Sequence, residues 1–382
     1  MKTLIMVTHL LGTGHLSRAL ILARAFVAAG HDVRLVSGGR PASHLDTTDV
    51  GFVQLPPLQS DGVNFTHLLD EMGDPATDAL HEARRGMLKQ IMAGFAPDLV
   101  ITELYPFGRR SLAAEFQIVL AAAAAQAPRP VVCASVRDIL APPSKPAKAR
   151  AASDIIRQCY DAVLVHSDPA LVPLEASWPV PPDLGTKLHY TGFVAAAPAP
   201  VLPDARGAGH VLVSAGGGDV GGALFATVIH AARQTPDLKW CLLVGGATAP
   251  QVIAKLQQDA PPGVEVMATT PDFRQMLHHA AASVSLCGYN TALDVLQAGT
   301  PAVFVPFDAG GEVEQSLRAA ALSKLDGVAV LKTRDLTAQT LTNALRHVMA
   351  QPRRADTSIA MNGAARSVKI ATELVKGARN AG

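Results

Sequence analysis

Short, uninterrupted apolar runs alternate with stretches of helical period along almost the whole chain, and this alternation leaves few folds open. LIMV at 4–7 leads into a segment in which Leu16, Leu20, Ala23 and Val27 share one helical face, and Gly30 follows where a C-cap belongs. DVRLVSG, DLVITEL, PVVCASV and AVLVHS repeat the pattern. Strands that are apolar on both faces, separated by helices, predict a parallel sheet covered on each side. At 193–209 the sequence becomes FVAAAPAPVLPDARGAG, rich in Ala, Pro and Gly, and reads as a linker. The pattern then restarts with HVLVSAGGG, followed by KWCLLVGG, VEVMAT, SVSLC and AVFVPF. The expected fold class is α/β, with two doubly wound parallel-sheet domains facing a cleft. They are placed at 1–196 and 208–350, and a C-terminal helix within 351–382 is expected to cross back to the first. A chain of 382 residues also exceeds one ordinary core.

Charge and cysteine usage remove several classes of function. The formal net charge is +1, so nothing draws the chain strongly to nucleic acid or to an acidic membrane. Cys133, Cys159, Cys241 and Cys287 form no C-x-x-C pair, which argues against a zinc site and a disulfide framework and fits a cytoplasmic protein. No apolar stretch approaches ~18 residues, the length of a membrane span. The apolar N-terminal run is cut off by Thr8, His9 and glycines, unlike a signal peptide.

Glycines mark the ends of the first strand in each half. GTGHLSRA at 12–19 and Gly216, Gly217 and Gly218 sit where ligands of open parallel sheets bind. Gly14 and the three glycines of the second half would let a diphosphate approach the backbone, with the next helix N-terminus supplying free N–H groups. GTGH lacks the later glycine of a dinucleotide fingerprint, and GGRP stands where a ribose-binding acid would be expected. His15 either packs at its helix start or accepts a proton from a hydroxyl. In LCGYNTALDVLQAGTPAVFVPF at 286–307, Asn290 and Thr291 open a helix and can cap it or meet a phosphate. Asp294, one turn later, complements the helix dipole or binds a ribose diol. In ELYPFGRR, Glu103 ends a strand, while Arg109 and Arg110 bind an anionic acceptor group or form a structural ion pair with Glu103 or Asp138. His9, His166, His278 and His279 read as structural or exposed. No metal is expected, and no other cofactor.

Gly288-Tyr289-Asn290-Thr291, Asp294, Gly299-Thr300-Pro301, Pro306-Phe307 and Glu314-Gln315 resemble the nucleotide-sugar site of GT-B glycosyltransferases. HLLGTGHLSRA, ELYPFGRR, SVRDIL, VHSDP and HYTGF are similar to motifs of a bacterial group of predicted glycosyltransferases related to the MurG-type, family 28 UDP-sugar transferases. This resemblance spans most of both halves, whereas similarity to the peptidoglycan enzymes themselves is expected only in the loops. It implies two Rossmann-like domains, with Asp294 on the ribose and Glu314 and Gln315 on the sugar. Thr270 and Phe273, within 269–273, would flank the uracil. The implied partners are a UDP-sugar donor and a hydroxyl acceptor, with His15 as base and Glu103 as the next candidate. A UDP-sugar hydrolase and a non-catalytic nucleotide-sugar binder stay open as alternatives, as does peripheral contact with the inner face of the membrane.

Overall fold

The computed structural model describes residues 1–62, 67–202, 206–216, 218, 220–354 and 359–381. The chain divides into two compact units, Met1–Ala195 with Ala360–Gly382, and Ala196–Ile359.

Unit 1 is built from β1 (Lys2–Val7), α1 (Gly14–Ala28), β2 (Asp32–Ser37), β3 (Gly51–Gln54), α2 (Asp78–Phe95), β4 (Leu99–Glu103), α3 (Ala113–Ala125), β5 (Val131–Arg137), α4 (Pro146–Cys159), β6 (Ala162–His166) and β7 (Leu188–Tyr190). The strands form one parallel sheet in the order β3-β2-β1-β4-β5-β6-β7. Side chains along β1 alternate between two cores. Leu4 and Met6 join a cluster with Leu88, Phe116 and Ile156, whereas Ile5 and Val7 join Leu16, Leu20 and Phe26. Both faces are thus buried, as an apolar run without polar alternation requires. On α1 the buried stripe runs through Leu16, Leu20, Ala23 and Phe26, and the expected Val27 is exposed. Phe26, one position earlier, keeps the ring within the face that meets the sheet.

Unit 2 contains β8 (His210–Ser214), α5 (Gly222–Gln234), β9 (Lys239–Val244), α6 (Ala249–Asp259), β10 (Val264–Ala268), α7 (Phe273–His279), β11 (Ala282–Ser285), α8 (Tyr289–Gln297), β12 (Ala302–Phe304), α9 (Glu314–Leu322), β13 (Val328–Val330) and α10 (Ala338–Met349). Its parallel sheet runs β10-β9-β8-β11-β12-β13. A final helix, α11 (Gly363–Ala381), belongs to unit 1 and packs on α1 and β5.

Three strands, β3, β7 and β13, lie outside the sequence reading. Each has three or four residues and stands at a sheet edge, where partial exposure removes the apolar signature. The stretch read as a linker is more ordered than its composition suggests. Phe193 and Val194 are buried, and Val194 pairs with Asn362 in an antiparallel bridge inside unit 1. Beyond the boundary, Arg274 and Gln297 donate to the Ala196 carbonyl, and Arg274 also donates to that of Ala197, so this segment is held to unit 2.

In both sheets the strand order reverses beside the first strand, between β1 and β4 and between β8 and β11. Connections leave in opposite directions there and open a crevice beyond the strand ends, where ligands of such sheets bind.

Candidate active site

His15 and Glu103 come from the two strands that flank this reversal in unit 1. His15 lies in the first turn of α1, just after β1, and Glu103 is the last residue of β4. Their side chains meet, with Nδ1 of His15 2.8 Å from Oε1 of Glu103. Arg18, one turn along α1, donates to the same oxygen, and the Ser135 hydroxyl donates to Oε2 at 2.6 Å. Arg18 and Glu103 are each 2% exposed and His15 is 15% exposed.

The charges in this group follow from burial and partners. Burial alone would raise the Glu103 carboxyl, but the Arg18 charge and the hydrogen bonds from His15 and Ser135 outweigh it and hold it below the usual carboxylate range. An ionised carboxylate only accepts, and at 2.8 Å it is closer to Nδ1 than the donating Arg18 guanidinium at 3.1 Å, so Nδ1 of His15 carries the proton and Nε2 keeps its lone pair. Among the described residues none hydrogen-bonds Nε2. Burial pushes the His15 pKa down to about 3, opposed by the Glu103 hydrogen bond and helped by the charges of Arg109 and Arg18. The imidazole is therefore neutral near pH 7, mainly through burial. This arrangement can take a proton from a hydroxyl at Nε2 while Glu103 steadies the imidazolium that forms.

Arg109 and Arg110 stand at the turn after β4, with Arg109 in the left-handed region (φ 57). Nε of Arg109 donates to the Thr8 carbonyl at 2.5 Å, and Arg110 donates to the carbonyl of Phe107 at 3.1 Å. The partner of Glu103 is thus Arg18, which the sequence reading did not single out.

Gly14 opens α1 in unit 1, and the remaining expected residues lie in unit 2, after strands β8, β10, β11 and β12. Gly216 follows β8 with φ +79, a conformation that favours glycine, and its N–H meets the Ser214 hydroxyl at 3.1 Å. Gly218 is exposed, and Gly217 lies outside the described residues. Across the reversal, Gly288 is the N-cap of α8, and no side chain caps that helix start. Asn290 and Thr291 therefore do not act as caps, and Asn290 is exposed. Thr270 and Phe273 form the turn into α7, where the Phe273 N–H donates to the Thr270 carbonyl. Glu314 opens α9, and Gln315 holds the loop after β12 by accepting from the Phe307 N–H at 3.1 Å.

Asp294 is 19% exposed and paired with Arg274 at 2.8 Å. Burial raises its pKa to about 6, although the Arg274 charge and hydrogen bond oppose the rise. Arg274 is a contact that sequence reasoning missed, because it lies 20 residues away on α7. Among the described residues no group of three or more His, Cys, Asp or Glu side chains is arranged to hold a metal ion, and no helix is long and apolar enough to cross a membrane.

Residues 220–374 match the glycosyltransferase family 28 C-terminal domain. The match is confined to this C-terminal part, and the chain as a whole has the GT-B fold. A UDP-N-acetylglucosamine--N-acetylmuramyl-(pentapeptide) pyrophosphoryl-undecaprenol N-acetylglucosamine transferase of Phenylobacterium zucineum is 29% identical over 175 residues, covering 44% of this chain and 47% of that protein. The namesake from Anaeromyxobacter sp. is 26% identical over 166 residues, 42% of each chain. The chain therefore spans less than half the length of both relatives, and the likeness exceeds the loops to which it was expected to be confined. An uncharacterized glycosyltransferase of Methanosarcina mazei is 21% identical over 80% of this chain and 79% of its own. The GT-B fold is shared with Acinetobacter baumannii MurG, at a TM-score of 0.62, 15% identity and complete coverage of both chains. It is shared too with the calicheamicin glycosyltransferase CalG4, at 0.60 and 17%, covering 99% of this chain and 96% of that one.

Proposed function

We propose that this protein moves a sugar from a UDP-sugar to an acceptor hydroxyl, without a metal. The observation that carries the reading is the His15–Glu103 pair at 2.8 Å, with Nε2 of His15 left as a base. The acceptor O–H gives its proton to Nε2 as its oxygen bonds the anomeric carbon. The bond from that carbon to the diphosphate breaks, and UDP leaves with the electron pair. Glu103 orients the imidazole and offsets its positive charge. In unit 2 the N–H groups around Gly216, Gly218 and Gly288 receive the diphosphate, donors fixed in place before charge develops. Asp294 takes the ribose diol, Thr270 and Phe273 the uracil, and Glu314 and Gln315 the sugar. Arg109 and Arg110 face an anionic acceptor. The reaction belongs to the cytoplasm, at or near the inner face of the membrane, in cell-surface glycan or glycoconjugate synthesis. The names of the family relatives make UDP-N-acetylglucosamine the first donor to try.

Turnover of UDP-sugars with excess chelator and a panel of acceptors tests this. His15→Ala should lower turnover by about 100- to 10,000-fold, the usual worth of positioned proton transfer, with UDP affinity unchanged. Turnover that survives His15→Ala removes His15 as base, and turnover that stops with chelator removes the metal-free reading. Release of free sugar in the absence of acceptor would make the protein a hydrolase, with water as the group deprotonated.

A further inference from the structure

Behind Glu103, a line of buried polar groups continues across the sheet. The Ser135 hydroxyl, on β5, lies 2.6 Å from Oε2 of Glu103 and 2.9 Å from Nε2 of His166, the last residue of β6. Nδ1 of His166 lies 2.9 Å from the Thr191 hydroxyl, just past β7, which in turn lies 2.8 Å from the Gly192 carbonyl. His15, Glu103, Ser135, His166 and Thr191 thus stand on five consecutive positions of the sheet order, β1-β4-β5-β6-β7. Ser135, His166 and Thr191 are fully buried. They also belong to SVRDIL, VHSDP and HYTGF, motifs that the proton transfer at His15 leaves without a role.

The sense of this line is set by the carboxylate at its end. Ser135 has one hydroxyl proton and two neighbours within reach. Glu103, ionised by Arg18, only accepts, so the proton of Ser135 goes to Oε2. The serine oxygen then accepts from Nε2–H of His166, and the bare Nδ1 shares the one proton of Thr191 with the Gly192 carbonyl. Burial keeps His166 neutral, with its pKa down to about 3 and the Arg18 charge adding to the fall, so one ring nitrogen holds the only proton. A histidine with the opposite tautomer would compete with Glu103 for the serine proton. The last torsion of a glutamate is soft, and hydrogen bonds decide where its oxygens point. Oε2 is pinned by Ser135, and this aims Oε1 at Nδ1 of His15.

We propose that Ser135 and His166 are positioning residues for the His15–Glu103 pair, holding the carboxylate in the rotation that fixes the tautomer of His15. The proposal rests on the transfer reading only for its kinetic consequence. Nitrogen-15 spectra of the histidine rings read the tautomer in the whole protein without any substrate. In the wild type, His15 should show a protonated Nδ1 and a bare Nε2. Ser135→Ala removes one oxygen and should fold. It should turn His15 into a mixture of tautomers and lower kcat by up to about 100-fold, as small misplacements of catalytic groups do, with KM for the donor unchanged. His166→Leu should do the same, whereas His166→Gln, which keeps an N–H donor, should restore both readouts. An unaltered His15 spectrum in Ser135→Ala, or an equal loss in His166→Gln and His166→Leu, overturns the proposal. Spectra that change as expected in a protein that transfers no sugar overturn the transfer reading and support the relay.

Discussion

Burial moves Asp294 and His15 in opposite directions, because it pushes each towards its neutral form. His15, with a pKa of about 3, stays neutral from pH 5 to 8. Asp294, at about 6, changes charge inside that range. Below pH 6 the protonated Asp294 accepts ribose hydroxyls poorly. KM for the donor should therefore rise on acidification from pH 7 to 5 while kcat holds, and the opposite pattern in initial rates would assign the acid limb to the base. Arg274→Ala removes the charge that limits the rise at Asp294. It also gives up the hydrogen bonds to Ala196, Ala197 and Gln297, so the variant should be less stable than the wild type by a constant amount below pH 4, where the carboxyl is protonated in the folded proteins and, from its ordinary value near 3.8, largely so in the unfolded chain. The variant should then lose further stability as pH climbs through 6, by about 1.4 kcal/mol for each unit the pKa rises. Denaturant melts at pH 4 and pH 8 measure the difference. His15, Glu103 and Asp294 could each be picked out from the sequence by their place at strand ends and helix starts. Their partners could not. Arg18, Ser135, His166 and Arg274 look like ordinary helix or strand residues until the strand order brings them alongside, and His166 in particular reads as a packed histidine in an apolar run.

At the scale of elements, the long central strands and the helices between them can be read from the sequence, because both faces of each strand are buried. The edge strands cannot, since three half-buried residues carry no period. Helix α11 shows how an element can be foreseen while its energetics are not. Ala371 and Val375 are buried in the cluster that holds Leu20, Leu22 and Ala23 of α1, and Ile370 and Leu374 pack against its rim. The fully buried position of Ala371 leaves no room for growth. Ala371→Leu should cost about 1–3 kcal/mol through overpacking, and thermal unfolding would report it. The same change should leave UDP affinity intact, since α11 lies in unit 1 and the proposed nucleotide groups lie in unit 2.

For the molecule as a whole, unit 2 is an insertion into unit 1, and both of its connections lie together. The Phe193 N–H donates to the Ala360 carbonyl and the Gly363 N–H to that of Phe193, around the Val194–Asn362 bridge. Ala195 and Ala360 therefore stand where a turn of two to five residues could join them. A chain of residues 1–195 so joined to 360–381 should fold cooperatively by circular dichroism and keep the His15 tautomer, whereas residues 1–195 alone should melt at a lower temperature. Equal melting of the two chains would show that α11 adds nothing to unit 1. The same connectivity has a consequence on the ribosome. All seven strands of the first sheet emerge early, but the helix that covers β5 and α1 is translated only after the whole of unit 2. At about 5–20 residues per second this delay lasts roughly 10–30 s. Throughout it the apolar surface of β5 and α1 that α11 later covers stays open, a natural target for holding chaperones, and rare codons within 196–359 would lengthen that exposure without altering a single residue of the finished protein.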